Sequence, residues 1–241
     1  PRVLYHATSL KKGQIYSDLE RGNTYRQFNN LRVFRYPNMD FKYATNDTLQ
    51  NKLDANIYLS SLDKFSLRLT NEVKRSEIGF GLGTSFAARN VFRRAETLEL
   101  NLQGTFASQP TLKDTRFFNT SEVSGDIRFI FPSIVFPLNT RKLIPYYMTP
   151  QTILQTGMSY QTNIGLDKRT TSGLLRYVWN PRKQKNKVIF DLINVQYVNN
   201  INPGNFFNIY QSTYERLNDI AKKYSLGSRY VDDKGNLTPT E

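Results

Sequence analysis

From residue 65 onward the chain alternates apolar and polar residues with a period of two, the period of a β-strand with one buried and one wet face. Phe65, Leu67 and Leu69 alternate with Ser66, Arg68 and Thr70, and the run continues through Asn71 and Glu72 to Val73. Phe80, Leu82, Thr84 and Phe86 then alternate with Gly79, Gly81, Gly83 and Ser85. In "LELNLQGTF", Leu98, Leu100 and Leu102 share a phase that Phe106 resumes, against Glu99, Asn101, Gln103 and Thr105. Further runs read "GDIRFIFPSIVFP", with Pro132 predicting a bulge or interruption, then "ILQTGMSYQTN", "GLLRYVW" and "KVIFDLINVQYV". These segments predict about seven antiparallel strands in an up-and-down meander.

Residues 1–64 have a different texture. Thr24 and Gln27 fit a capping box, with Thr24 at the start of a helix that carries Tyr25, Phe28 and Leu31 at helical spacing. After Pro37, Met39, Phe41 and Tyr43 line one face of a strand. A polar turn follows, and then Leu53, Ala55, Ile57 and Leu59 line a second strand. Near the other end, Phe206, Tyr210, Leu217, Ala221 and Tyr224 predict a helix over about 205–224 that packs as a lid.

The faces of the strands decide between two environments. A soluble sandwich buries its apolar face in a core and wets the other, whereas a membrane barrel turns its apolar face to lipid and its polar face to a lumen. Gly79, Gly81, Gly83, Gln155, Gly157, Ser159 and Gln161 make the second face small and amide-rich, where a solvated outer face would carry more Lys and Glu. That favours the barrel. The mean hydropathy of -0.55 does not oppose it, because barrel strands are only half apolar.

Charge and chemistry refine this reading. The formal charge of +13 points to anionic partners such as phospholipid or lipopolysaccharide. Arg93, Arg94, Arg141, Lys142, Arg182, Lys183, Lys185 and Lys187 lie in predicted turns, where they can solvate a turn or contact lipid phosphate. Scattered basic turns without an aromatic ladder do not form a nucleic-acid interface. Without Cys there is no disulfide framework or thiolate site, and His6, the only histidine, reads as a surface residue. Asp232 and Asp233 before Gly235 read as a turn and not as a calcium loop. No catalytic constellation, metal site or cofactor is expected.

The order of motifs resembles the Omp85 superfamily of outer-membrane assembly proteins (BamA- and TamA-like, TamL branch). "SLKKGQIYS" and "NTYRQFNNLRVFRYPNMDF" are similar to the later part of a POTRA domain, and "LDANIYLS" to its closing strand. Phe80-Gly81, Asn90-Val91-Phe92, Ala95-Glu96 and the alternating leucines resemble the family's first barrel hairpin. "FIFPSIVFPL" and "MTPQTILQTGMSYQTN" are similar to the next two strands. The resemblance implies a partial periplasmic POTRA domain over residues 1–64. Residues 65–241 would be the first half of a transmembrane antiparallel barrel, with a helix-containing loop over about 203–241. The chain would then be a piece of a larger barrel.

The implied function is insertion of unfolded outer-membrane protein clients, with possible accessory assembly subunits and without enzymatic chemistry. Residues 65–73 would be the gate strand, whose free edge takes a client strand, with Thr70 expected to present its N–H there. Residues 90–96 and the basic connections near 141 and 182–187 would face the periplasm, and the 109–120 loop and the 203–241 segment the exterior. A secretion pore of the same superfamily and a soluble basic β-module are the alternatives. If Leu98, Leu100, Leu102 and Phe106 face lipid, Leu100→Arg destabilises the membrane-inserted state by roughly 2–4 kcal/mol, as measured by denaturant titration in vesicles.

Overall fold

The computed structural model describes residues 2–45, 51–74, 78–108, 119–162, 167–181, 186–201 and 211–223. Two helices, α1 (Arg2–His6) and α2 (Asp18–Asn30), precede an antiparallel pair, β1 (Phe34–Tyr43) and β2 (Leu53–Ser61). The strand phases are as the alternation predicts, with Met39 opposite Ile57 and Phe41 opposite Ala55. A register shift falls between Arg35 and Asn38, where Pro37 cannot donate to the ladder. Phe28 on α2, Leu31 just past its end and Ala7 after α1 form a small buried core, against which Val3, Leu4, Val33, Phe34, Met39, Ile57 and Leu59 pack.

The capping box at Thr24 is corrected. α2 begins at Asp18, behind an extended Ser17, with Asp18 and Glu20 in the first turn where the helix dipole favours acids. Thr24 lies in the middle of α2, fully buried. Its Oγ1 donates to the Glu20 carbonyl (2.8 Å) and accepts the Ser9 N–H (3.0 Å). Gln27 Nε2 donates to Ser9 Oγ (2.7 Å). The two residues therefore tie the segment after α1 onto α2. Gly22, a residue that weakens a helix interior by about 1 kcal/mol, is tolerated because this packing holds its flanks.

The chain is mainly β. Seven strands form one antiparallel sheet in sequence order: β3 (Phe65–Lys74), β4 (Ile78–Arg89), β5 (Thr97–Ser108), β6 (Thr120–Phe131), β7 (Gln151–Thr162), β8 (Lys168–Trp179) and β9 (Val188–Asn200). Among the described residues this sheet has one register shift, between Leu175 and Arg176, where β8 meets β9. Pro132 ends β6 and is not a bulge within it; the strand starts at Thr120, earlier than the alternation from Gly125 suggests. The segment beyond Pro132 folds across the strand ends. Buried Thr152 donates through Oγ1 to the Ser133 carbonyl (2.8 Å) and accepts the Val135 N–H (2.9 Å), while Tyr177 Oη donates to the Val135 carbonyl (3.0 Å). Two 3₁₀ turns follow, Thr140–Lys142 and Tyr146–Met148. A last helix, α3 (Gln211–Lys223), falls within the 205–224 expected; Phe206, Tyr210 and Tyr224 lie outside the described residues.

Among the described residues β3 and β9 do not pair, so the sheet is open at both edges. The start of β3, residues 90–96, 132–150, 180–181 and 186–187 all lie at the sheet end next to the N-terminal unit. Ala95, in the β4–β5 turn, is buried in the same cluster as Ala7, Phe28 and Leu31. Phe28 is 2% exposed and meets Phe34 edge-on at 6.2 Å. Phe28→Ala lowers the unfolding free energy of the N-terminal unit by about 3–5 kcal/mol, and limited proteolysis reads this as faster cleavage before residue 64.

Candidate functional site: two faces and a free edge

The pleat sends alternate side chains to opposite faces, and the register aligns them in rows across the sheet. One row runs Ser66, Ala87, Glu99, Arg128, Gln155, Leu174, Asn194, and the next Arg68, Ser85, Asn101, Asp126, Gly157, Ser172, Gln196. Hydrogen bonds link neighbours along these rows. Arg128 reaches Glu99 (3.6 Å) on one side and donates to Gln155 Oε1 (3.2 Å) on the other, while Asn101 Nδ2 donates to Asp126 Oδ2 (3.0 Å). Nearer β9, Arg176 holds Asp191 with two nitrogens at 2.6 and 2.9 Å. Small residues leave room on this face. A cavity of about 290 Å³ is lined there by Thr70, Glu72, Gly81, Gly83, Ser85 and Asp126, among others. A Cβ on Gly157 would come within 3.0 Å of Asp126 Cβ, so the glycine leaves room for the root of the Asp126 side chain.

The opposite face is apolar. Its rows include Phe65, Ala88, Leu98, Phe129, Leu154, Leu175, Ile193 and Leu67, Phe86, Leu100, Ile127, Thr156, Gly173, Val195. Leu98, Leu100, Leu102 and Phe106 all lie on this face, and Glu99, Asn101 and Gln103 on the other, as the alternation predicts. No layer of the described residues covers it: Leu82, Leu102, Ile127, Leu154, Met158 and Val195 are all exposed. Aromatic rings gather toward both ends of the band. Phe65 stacks on Phe86 (5.9 Å) and Phe129 meets Phe131 (4.5 Å) at one end, and Phe80 meets Phe106 (5.4 Å) at the other. The span from Phe65 to Val73 measures about 27 Å along the strand at about 3.4 Å per residue.

The free edge of β3 can be read from one bond. The Arg89 N–H donates to the Lys64 carbonyl (2.7 Å), and Phe65 faces Ala88 in an unbroken register. Bonded pairs alternate along an antiparallel ladder, so Ser66, Arg68, Thr70 and Glu72 turn their N–H and C=O toward β4. Phe65, Leu67, Leu69, Asn71 and Val73 turn theirs to the open edge. The expectation that Thr70 presents its N–H there is therefore corrected, since that N–H belongs to the β3–β4 ladder opposite Gly83. Alternation in the sequence gives the faces of a strand but not which backbone groups its neighbour uses.

The structure also brings together residues that sequence reasoning missed. Arg32, beyond the end of α2, reaches Glu99 (4.0 Å), and Asn30 accepts from Gln151 Nε2 (2.5 Å), so the N-terminal unit grips the base of the sheet. His6 is not an ordinary surface residue: it is half-buried and stacks nearly parallel on Tyr146 (5.4 Å, 9°). Arg182, Lys183, Lys185, Asp232, Asp233 and Gly235 lie outside the described residues. No helix among the described residues is long and apolar enough to cross a membrane, which says nothing about strands. No family model, curated protein or solved structure matches the chain.

Thr70→Pro removes a donor from the β3–β4 ladder, whereas Asn71→Pro removes one from the open edge. Amide hydrogen exchange across residues 78–89 therefore speeds up in Thr70→Pro and stays near wild type in Asn71→Pro.

Proposed function

We propose that this chain is part of an outer-membrane β-barrel of the Omp85 type, which assembles client proteins by pairing their strands onto β3. The observation that carries the reading is an unpartnered strand edge at the border of an uncovered apolar face. Leu67, Leu69 and Val73 on β3 are 67%, 74% and 79% exposed, and their backbone donors point away from β4. An open edge is normally blunted or covered, because it templates association. In the hydrocarbon of a membrane an unpaired N–H or C=O costs several kcal/mol, so such an edge there is driven to find a strand. A client segment supplies one by β-augmentation, with main-chain bonds giving affinity and side-chain alternation giving register.

Three features support the membrane setting. At the roughly 35–45° tilt of a barrel strand the apolar run covers about 20 Å of membrane depth, comparable to the roughly 25 Å outward band of an outer-membrane barrel. β4 to β8 are each 12 residues long, a little above the roughly 9–11 that a tilted strand needs to span. Uncovered, the face far exceeds the few hundred Å² that a soluble monomer exposes, which disfavours the soluble module. The polar rows would then line a wet lumen.

Strand number adds a constraint. In a meander of seven strands β3 and β9 run in the same direction, so closing one on the other would make a parallel pair. An all-antiparallel closure needs at least one further strand, from the protein's own chain or from a client. By the same reading the N-terminal unit is periplasmic, as is the sheet end it holds.

Leu69→Pro, which removes an edge donor, abolishes assembly of an outer-membrane client in proteoliposomes, while Leu69→Ala retains most of it. Normal assembly by a folded Leu69→Pro chain overturns the proposal. Channel conductance that survives the substitution together with normal assembly would favour the pore reading, because transport along the polar face does not use the edge.

A further inference from the structure

Two of the basic turns scattered in the sequence meet at one cavity. It has a volume of about 730 Å³ and lies between α1, the β4–β5 turn and the β6–β7 connection. Arg93 and Arg94 enter it from the turn and Arg141 from the first 3₁₀ turn, alongside His6, Phe92 and Tyr146. Among the described residues no Asp or Glu lines it, and none of the three arginines forms an ion pair with a carboxylate. The nearest acid along the chain, Glu96, is buried and spends Oε2 on the Arg94 N–H (3.0 Å).

The turn that carries Arg93 and Arg94 has a fixed backbone. Asn90 Oδ1 accepts the Ala95 N–H (3.0 Å), and Asn90, Arg93 and Ala95 all adopt positive φ of 56–64°. Such backbone is unfavourable for a non-glycine residue and persists because Ala95 is locked in the core. The Arg141 guanidinium lies over the Tyr146 ring (5.8 Å), whose plane also stacks on His6. Three guanidinium groups, one of them held over a ring and none paired with a carboxylate among the described residues, suit a phosphate group, which their planar forks bind in two-point fashion.

The surroundings indicate what carries that phosphate. Phe92 lines the cavity and meets Phe129 edge-on (5.7 Å, 73°), and Phe129 belongs to the exposed apolar face. The cation cluster therefore sits at the margin of a surface suited to acyl chains. We propose that this cavity binds the phosphate of an anionic phospholipid whose chains lie along the apolar face near Phe129. The lipid source rests on the barrel reading; the phosphate chemistry does not.

The test uses the full chain in dodecylmaltoside micelles, titrated separately with dioleoylphosphatidylglycerol, dioleoylphosphatidylcholine and inorganic phosphate, with binding read by native mass spectrometry. Phosphatidylglycerol binds better than phosphatidylcholine. Arg141→Gln, outside the strained turn, weakens it by about five-fold, and the triple Arg93→Gln, Arg94→Gln, Arg141→Gln chain by on the order of 100-fold, from ~1 kcal/mol per basic residue. Lys11→Gln with Lys12→Gln, exposed and not lining the cavity, leaves it unchanged. Far-UV circular dichroism confirms folding, and the single variant serves if the triple one misfolds. An arginine-dependent site that takes millimolar inorganic phosphate and not the lipid overturns the lipid source. Equal loss in the lysine variant, or none in the arginine variants, overturns the site. Because no client is present, failure here is separate from failure of strand pairing at β3.

Discussion

A strand that alternates perfectly has two incompatible faces, and every other feature of this molecule follows from having to satisfy both. Seven such strands in register multiply the problem into a sheet-wide apolar surface backed by a sheet-wide polar one. Nothing among the described residues covers the apolar side, so its free energy depends on the medium: costly in water at about 25 cal/mol per Å², neutral in hydrocarbon. On the polar side, glycine, serine and cross-strand partners such as Glu99, Arg128 and Gln155 keep the charges small in number and paired. The backbone adds a second demand, because each unpaired edge is a row of donors and acceptors that needs either water or another strand.

The β4–β5 turn joins the two units physically. Its Ala95 completes a core otherwise made by the N-terminal helices and β-pair, and its hydrogen bonds fix three residues in left-handed backbone. The turn thereby fixes the first hairpin to the N-terminal unit while leaving β3 free along its outer edge. Arg32 to Glu99 and Gln151 to Asn30 extend that grip across the base of the sheet. On the proposed reading, this anchored base is what would let a strand be added at the edge without disturbing what holds the sheet in place.

Much of this was legible in the residues. The number, order and facing of the strands from 65 onward follow from period-two alternation, because side chains on a pleated strand have no third direction to take. The β-pair near residues 34–61 was legible for the same reason. The helix start was not. Thr24 and Gln27 have the spacing of a capping box, but their polar atoms are used by Ser9, a residue that only packing brings near. Pro132 ended a strand where an interruption was one of two expectations, because the following segment had somewhere better to bond, on Thr152 and Tyr177.

The sequence by itself determined local direction: which residues form strands, which side chains share a face, and where basic turns recur. Tertiary structure decided everything that depends on who stands next to whom. The outward donors of β3 belong to Leu67, Leu69 and Asn71 and not to Thr70, because Arg89 bonds to Lys64 and sets the parity of the ladder. Arg93, Arg94 and Arg141, almost fifty residues apart at the extremes, share one cavity because α1 and two connections meet there. Periodicity is a property of a single segment and survives in the sequence; pairing parity and charge convergence are properties of contacts between segments, which no segment encodes alone.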